Sequence, residues 1–446
     1  MDGVSLSTTA NGTTETPQRT WIDVIGIPML LRALFIQLPT WGLATLGVVA
    51  SVIWGMTLGV VWSSGGETIA PTAIVDFATS HVTGTAYEVP TGELNPFTVW
   101  RDHQSAALRT VLQFPGMSSF GSPSRGSRML AAQSFLYGLW WLPYAYPLFG
   151  TLLLAGSLLI WSVTGGAICR LVGARLTRNE KINAADALAF IRSRYWGGFV
   201  AAPCIPLGLF VFLAVLMFIG GGLILWIPLI GDLFFGVTAL MFAFGGVILA
   251  ALLVGLVVAG VLFWPSIAVD GADAFDAFAS SVSYVFRRPW KTLVYGLIAL
   301  LLSSIAWGLV RWAAYIGLYM MRSIVGFGSS PGLWGSNEGA RNKLERIWVF
   351  AGPDNLHGWP DFSTLAWNET ISALLVGLAI SLVIALVWGY LASLFYSYST
   401  AAYLLLRYDV DRTDIGDIYD DSYETMDEPA SDGNDEDQAS GGDESS

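Results

Sequence analysis

The sequence predicts an all-α membrane protein with about six transmembrane helices, two or three amphipathic interfacial helices, a small extracytoplasmic cap and a disordered acidic C-terminal tail. Three observations support this fold class. First, 54% of the 446 residues are hydrophobic and 13% are charged, whereas soluble domains carry about 25% charged residues. Second, six apolar runs approach or exceed the roughly 20 residues that a membrane-spanning helix needs. Third, residues 408–446 hold fifteen Asp or Glu and one Arg.

The apolar runs divide the chain into four parts. A polar leader over 1–20 precedes an interfacial helix over 21–39, a helical membrane domain over 40–407 and the acidic tail over 408–446. Both ends are too polar to bury an apolar core, so we expect them to be disordered. The predicted spans have the approximate bounds 40–62, 138–164, 199–224, 233–263, 292–312 and 371–405.

Basic residues predict the orientation. The segment 165–197 contains six Lys or Arg, and the segment 264–291 contains three. Because short basic loops stay on the cytoplasmic side, both segments and both termini are predicted to lie in the cytoplasm. The membrane would then be the cytoplasmic (inner) cell membrane. The longer segments 63–137 and 325–370 would lie outside and form the cap.

The segment 270–288 predicts an amphipathic helix at the membrane surface, which we call an elbow. Phe275, Phe278, Val282 and Val285 fall on one helical face. Acidic residues begin the segment and basic residues end it, as the helix dipole favours. We therefore expect the apolar face to lie in the lipid interface.

A second elbow is predicted over 183–196. When Trp196 is aligned with Trp290, the two elbows are offset by 94 residues. The offset is consistent with an internal repeat, although two unrelated elbows would look the same at this level of similarity. The residues predicted to anchor the elbows in the lipid interface are Arg194, Trp196, Arg287, Arg288, Trp290 and Lys291.

Small residues recur at every fourth position in three spans. Small side chains let helix backbones approach closely within lipid, and the longest stripe predicts that the last span is a central helix. The alternative is a pore lined by small residues. The predicted packing residues are Gly47, Ser51, Gly55, Gly59, Ala251, Gly255, Ala259, Gly377, Ser381, Ala385, Gly389 and Ser393.

Signals for chemistry are few. The central parts of the predicted spans contain no ionisable residue, which argues against a proton-coupled carrier. His81, His103 and His357 are far apart in sequence, and no hydrolase, metalloprotease or phosphate-loop motif is present. We therefore expect no catalytic residue, no cofactor and no metal site. Binding to nucleic acid is not expected either, because the acidic tail repels phosphate.

Proline pairs leave one alternative open. Pro143 with Pro147, and Pro203 with Pro206, could break the second and third spans. A broken span exposes backbone groups that could bind a neutral substrate. This is the main sequence feature that favours a carrier.

Three stretches carry a resemblance to a known group of proteins. They are "WIDVIGIPMLLRALFIQLPTWGLATLGVV", "ARLTRNEKINAADALAFIRSRYW", and "WPSIAVDGADAFDAFASSVSYVFRRPW" with "YLLLRYDVDRTDIGDIYDD". The chain resembles uncharacterised multi-pass bacterial membrane proteins of the planctomycete type. The resemblance implies topology and location, and it implies no activity.

The function expected from these patterns is that of a non-enzymatic structural or interaction component of the membrane. Besides the lipid bilayer, a protein partner could bind the acidic tail or the outer cap. Ile415, Ile418, Tyr419 and Met426 lie among the acids and would suit docking on a basic partner. The alternative function is a transporter or channel for a neutral or lipid-like substrate, and the sequence does not indicate an oligomeric state.

Overall fold

The computed structural model describes residues 26–64, 95–112, 128–227, 230–328, 344–349, 356, 358, 360 and 362–419. Those residues are almost all helical. The helices are α1 (Ile27–Ile36), α2 (Trp41–Ser64), α3 (Pro96–Leu112), α4 (Arg128–Ala145), α5 (Pro147–Thr177), α6 (Ala184–Ser193), α7 (Ala201–Met217), α8 (Ile230–Asp270), α9 (Ala274–Arg287), α10 (Pro289–Gly328) and α11 (Trp367–Asp411).

Six helical segments are long and apolar enough to cross a membrane, which confirms the predicted fold class. Their bounds are Leu38–Ser64, Pro147–Thr177, Tyr195–Trp226, Ile230–Asp270, Pro289–Phe327 and Trp367–Asp411. Most extend well beyond the predicted runs, because helical hydrogen bonding continues into polar flanks whose side chains find partners. The basic loop predicted over 165–197 therefore begins only after Thr177.

The second span starts later than predicted. We expected it over 138–164, but residues up to Ala145 belong to α4, and α5 begins at Pro147. Tyr146 lies between them in an extended conformation, with φ −134° and ψ 74°. Proline disfavours a helical conformation of the residue before it. In the first turn of a helix its missing N–H costs nothing, because the N–H groups there have no helical partner. Pro147 therefore sets the boundary between α4 and α5.

The third span is not broken at Pro203 and Pro206. Helix α7 runs through both prolines, and a wider π-helical turn over Tyr195–Val200 precedes them. Pro203 cannot donate to the Phe199 carbonyl. Instead the indole of Trp264 donates to that carbonyl at 2.9 Å, and the hydroxyl of Ser162 donates to it at 3.3 Å.

Helix α1 is packed into the bundle. Leu30 and Ala33 are fully buried, Gly26 lies against Leu405, and Thr40 hydrogen-bonds to Ser393 at 2.7 Å. Thus α1 runs antiparallel along α11 and continues through a 3₁₀ turn into α2. One face of the helix predicted over 21–39 therefore packs on the bundle, while its other face leaves Leu31, Phe35 and Leu38 exposed; its position at the membrane interface stays a prediction.

Two arginines join α1 to α5 by bonding each other's helix ends. Arg32 of α1 donates to the carbonyls of Arg175 and Leu176 at 3.2 and 3.4 Å. Arg175 of α5 donates to the Ile36 carbonyl at 3.4 Å. The last carbonyls of a helix lack helical partners and favour cations, so each arginine stabilises the end of the other helix.

Helix α11 lies at the centre, as its stripe of small residues predicts. It packs against α1, α2, α5, α8, α9 and α10. Helices α3 and α4 form a hairpin beside α2 and α5, within the segment predicted as the outer cap. The hairpin of α7 and α8 leaves the bundle along most of its length, and its many large apolar side chains are exposed.

Candidate interaction site at the elbow end

The elbow end is the end of the bundle formed by α6, α9 and residues 412–419. Here the last carbonyls of α8 are bound by arginines from two other helices. Arg170 of α5 donates to Ala268 at 2.8 Å, and Arg194, after α6, donates to Gly271. Arg170 is only 9% exposed, and cations favour helix C-termini. The two arginines therefore fix α8 against α5 and α6.

Residues 412–419 dock on the same helix end. The backbone N–H of Tyr419 donates to the Val269 carbonyl at 2.8 Å. Arg170 donates to the Tyr419 carbonyl at 2.8 Å, and Arg178 donates to the Ile418 carbonyl at 3.1 Å. We call residues 412–419 the docked segment, because two arginine side chains, one in α5 and one just after it, and a backbone carbonyl of α8 hold its last residues.

The Tyr419 ring occupies a pocket at this end. The Arg194 guanidinium carbon lies 4.7 Å from the ring centre, and the Phe190 ring lies 6.5 Å away. A Cβ on Gly271 would come within 2.6 Å of the Tyr419 ring, and Gly271 has φ +65°. Glycine is therefore required there for both backbone conformation and space.

The docked segment corrects the prediction of a disordered tail over 408–446. Residues 408–411 continue α11, and residues 412–419 pack on the bundle. Ile418 is 5% exposed and packs in the apolar core of the bundle, while Ile415 is half-buried. Met426 and the rest of the tail lie outside the described residues.

Tyrosine hydroxyls and cations pair with the aspartates of the elbow end. Arg407 lies 3.1 Å from Asp270, and Lys291 lies 2.7 Å from Asp409. The remaining pairs are Tyr403 with Asp270, Tyr284 with Asp411, and Tyr295 with Asp409. Buried charges are stable only when paired, so these bonds fix the relative positions of α8, α9, α10 and α11.

Tyr284 of α9 shows the electrostatic effect of this pairing. Burial and then the hydrogen bond to Asp411 raise the pKa of its hydroxyl. The hydroxyl therefore stays protonated and donates the hydrogen bond to Asp411.

The predicted anchors divide into two groups. Trp196 is 70% exposed and Trp290 is 79% exposed, and Arg287 and Arg288 are also exposed. By contrast, Arg194 and Lys291 turn inward to the Gly271 carbonyl and Asp409. Arg194 is thus a bundle contact rather than a lipid anchor, because an unbonded helix-end carbonyl lies within its reach.

The elbow α9 buries Ala274, Ala277, Ser281 and Tyr284, and Asp273 caps its start by accepting from the Asp276 N–H. Of the predicted apolar face, Phe275 is 65% exposed, while the other three residues are half-buried and pack against the core: Phe278, Val282 and Val285. The small residues permit the close approach to α8.

Most predicted packing residues lie at helix contacts. A Cβ on Gly47 would meet Thr164 and Trp161, and one on Gly389 would meet the Thr45 backbone. On α8, Ala251 is exposed, and Gly255 is buried although a Cβ on it would have no neighbour within 4 Å. The other buried members are Gly55, Gly59, Ala259, Gly377, Ala385 and Ser393, while Ser51 and Ser381 are half-buried.

The hairpin of α3 and α4 holds the one described histidine. His103 is 1% exposed, and its Nε2 donates to the Ser134 carbonyl at 3.0 Å. Burial lowers the pKa of His103, partly offset by this bond. Within the described residues, no three His, Cys, Asp or Glu side chains group as metal ligands, and His81 and His357 lie outside those residues.

A cavity of about 290 Å³ lies where α5, α7, α8 and α11 diverge. Its lining is apolar and includes Leu158, Pro203, Trp264 and Phe395. It lies between the second and third spans, where a polar cavity would have favoured transport of a polar substrate. An apolar lining suits hydrocarbon instead.

The sequence predicts other roles for Arg194, Lys291 and Tyr419, and it singles out neither Arg170 nor Asp270. Arg170 interrupts the apolar run "GGAICRLVG", and Asp270 is the last residue of α8. A charge inside or at the end of an apolar helix is the signal that could have found them, since such a charge needs a partner.

The fold and the paired elbow end define a multi-pass helical membrane protein. Residues 127–406, more than half of the chain, match the family described as "Domain of unknown function (DUF7847)", and the chain belongs to this family. No curated protein and no solved structure matches the chain.

Proposed function

We propose that this protein is a non-enzymatic component of the cytoplasmic membrane that presents its acidic C-terminal residues to a basic protein partner. The observation that carries the proposal is the docked segment. Its last residue, Tyr419, is bonded to α8 and α5 and directly precedes the most acidic part of the sequence. Residues 420–446 contain eleven Asp or Glu and no Lys or Arg.

The arrangement suits electrostatic recruitment. Summed negative charge attracts a basic surface over roughly the Debye length, about 8 Å at physiological salt. Tyr419, the residue before these acids, is held at the bundle. Its attachment keeps their charge close to the membrane surface. The basic segments near α6 and α9 support a cytoplasmic position for this end, by the same rule that predicts the orientation.

Cross-linking in intact membranes tests the proposal. Wild-type protein is compared with a variant whose eleven acids in 420–446 become Asn or Gln, and with a control whose serines and glycines there become alanine. We expect at least one protein with a basic surface to cross-link to wild type and control, and to be lost from the neutralised variant. Titration of that purified protein against reconstituted chain should then show a tenfold or greater loss of affinity.

Two results would contradict the proposal. One is a set of cross-linked proteins that does not depend on the charge of 420–446. The other is an affinity for the purified partner that is equal in wild-type and neutralised chains at physiological salt.

A second candidate function is transport of a lipid-like substrate, which the apolar cavity between α5, α7, α8 and α11 favours. Reconstitution into vesicles with a fluorescent phospholipid in one leaflet tests it. Transport would transfer the probe between leaflets faster than in protein-free vesicles, and an unchanged rate would exclude this candidate.

A further inference from the structure

The cavity between α5, α7, α8 and α11 has the dimensions of a chain-binding groove. Its α8 wall includes Val257, Gly260 and Trp264, seven residues apart at most, which corresponds to about 10 Å along a helix. A volume of about 290 Å³ is far above the roughly 10–15 Å³ that admits one water molecule, so the groove has room for a short stretch of hydrocarbon chain.

The floor of the groove is apolar because its polar groups are already paired. Pro203 leaves the Phe199 carbonyl without a helical donor, and the Trp264 indole N–H takes that place at 2.9 Å. The Trp264 ring then stands 5.5 Å from the Tyr396 ring. Because the Phe199 carbonyl and the Trp264 N–H bond each other, the floor offers a ligand aromatic and aliphatic surface rather than hydrogen bonds.

The groove is continuous with the lipid-facing surface. Val257 and Phe395 in its lining are 52% and 47% exposed. Both lie within helical segments long and apolar enough to span the membrane. Hydrocarbon chains are therefore the fluid in contact with the opening, and apolar cavities of this kind do not favour water.

We infer that this groove binds one acyl chain of a membrane lipid. The inference does not depend on the acidic segment, since the groove is formed by four other parts of the bundle. It does not require transport either, because a chain held in the groove could remain there. We assign the chain to a phospholipid, because phospholipids form the bilayer in contact with the opening.

Filling the groove tests the inference. Gly260→Leu places a side chain in it, since a Cβ there would have only Phe263 within 4 Å, at 3.8 Å. Gly246→Leu on the same helix is the matched control, because a Cβ at 246 has no neighbour within 4 Å and Gly246 is not part of the groove lining. Val257→Trp is a second variant that fills the groove from a neighbouring position.

Each protein is reconstituted with a phospholipid that carries a photoreactive group midway along one acyl chain, and cross-linked peptides are quantified. A photoreactive free fatty acid is used in a parallel arm to identify the source of the chain. We expect wild type and Gly246→Leu to cross-link at 256–264, and both groove-filling variants to lose at least fivefold there. Labelling at exposed Leu240 and Phe244 serves as the internal standard and should not change.

Native mass spectrometry after delipidation provides an independent readout. Wild type and Gly246→Leu should retain one lipid per chain, and the groove-filling variants should retain none. Equal labelling of 256–264 in all four proteins, normalised to Leu240, would overturn the inference. The variant with neutralised acids in 420–446 should label like wild type, so failure of the recruitment proposal and failure of this one are distinguishable.

Discussion

Glycines in two groups of apolar helices have opposite surroundings. In the core formed by α2, α5 and α11, a Cβ on Gly165 would lie 2.6 Å from the Tyr396 ring, and one on Gly47 would lie 2.7 Å from the Thr164 hydroxyl. In the hairpin of α7 and α8, a Cβ on Gly208, Gly236 or Gly246 would have no neighbour within 4 Å.

Mean hydropathy does not separate the two groups. It is 2.6 for Tyr195–Trp226 and 2.9 for Ile230–Asp270 in the hairpin, and 1.9, 1.9 and 2.7 for Leu38–Ser64, Pro147–Thr177 and Trp367–Asp411 in the core. Lipid tails are as apolar as leucine, so hydrophobicity does not drive helices together within a membrane. Close contact of small residues with their neighbours separates the groups better: it is looser in the hairpin, where a Cβ on Gly220 or Gly245 would lie 3.3 Å from Phe242 or Met217.

The largest expected effect comes from adding one methyl group to the core. In Gly389→Ala, the Cβ would lie 2.6 Å from the Thr45 Cα, so two helix backbones must separate. We expect a loss of about 3 kcal/mol in the free energy of unfolding, the upper part of the range for overpacking.

Unfolding in mixed detergent micelles measures this loss. Gly246→Ala is the control on the hairpin, and it should be neutral or stabilising by up to about 1 kcal/mol, because alanine favours helix. Equal effects of the two substitutions would remove the distinction between core and hairpin.

The next effect is at the elbow end. Arg170→Met removes charge-assisted hydrogen bonds to Ala268 and Tyr419 and leaves buried carbonyls unpaired. We expect a loss of about 2–3 kcal/mol, with faster hydrogen exchange at the Tyr419 amide. The exposed Arg287→Met should change stability by less than about 0.5 kcal/mol, and protection of the Tyr419 amide in both variants would show that Arg170 does not hold the docked segment.

A smaller effect on stability is expected where the hairpin of α7 and α8 joins the core. Trp264→Phe removes the donor to the Phe199 carbonyl and should cost about 1 kcal/mol. In a Pro203→Ala background the cost should fall, because the new backbone N–H can bond that carbonyl. A double-mutant cycle measures the difference, and additivity of the two substitutions would contradict this account of Pro203.

The smallest expected effect is a pH dependence of the stability of the hairpin of α3 and α4. Burial lowers the pKa of His103 in the folded state. In the unfolded chain the pKa of His103 has its ordinary value of about 6.5, so below that pH the unfolded chain binds more protons than the folded one. Stability should therefore fall as pH drops from 7 to 5, measured as hydrogen exchange of Pro96–Leu112. His103→Gln should flatten that profile, and a slope that persists in the variant would assign it to another group.

The sequence predicts much of the fold and little of the site. Six long helices follow from hydropathy and length, and the central place of α11 follows from its small residues. The orientation of α1 could not be predicted, because Leu30 and Ala33 are apolar in the same way whether they face lipid or α11. The start of α5 at Pro147 shows that a proline can set a helix boundary inside an apolar run.

The elbow-end site could not be predicted because its partners are distant in sequence. Arg170 bonds Tyr419 across 249 residues, and local composition shows only a charge without its partner. The same limit explains why the docked segment was included in a disordered tail. Its acids suggested solvation, while the arginines that bind its carbonyls belong to other helices.

The hydrogen bond between Thr40 and Ser393 spans 353 residues, and this has a consequence for biosynthesis. At roughly 5–20 residues per second, α2 leaves the ribosome about 20–70 s before the glycines and serines of α11 that it packs against. During that interval its packing face is exposed to lipid or to the insertion machinery. The bundle is completed only when the last helix arrives, so chains that stop before α11 should be recognised as unfinished and degraded.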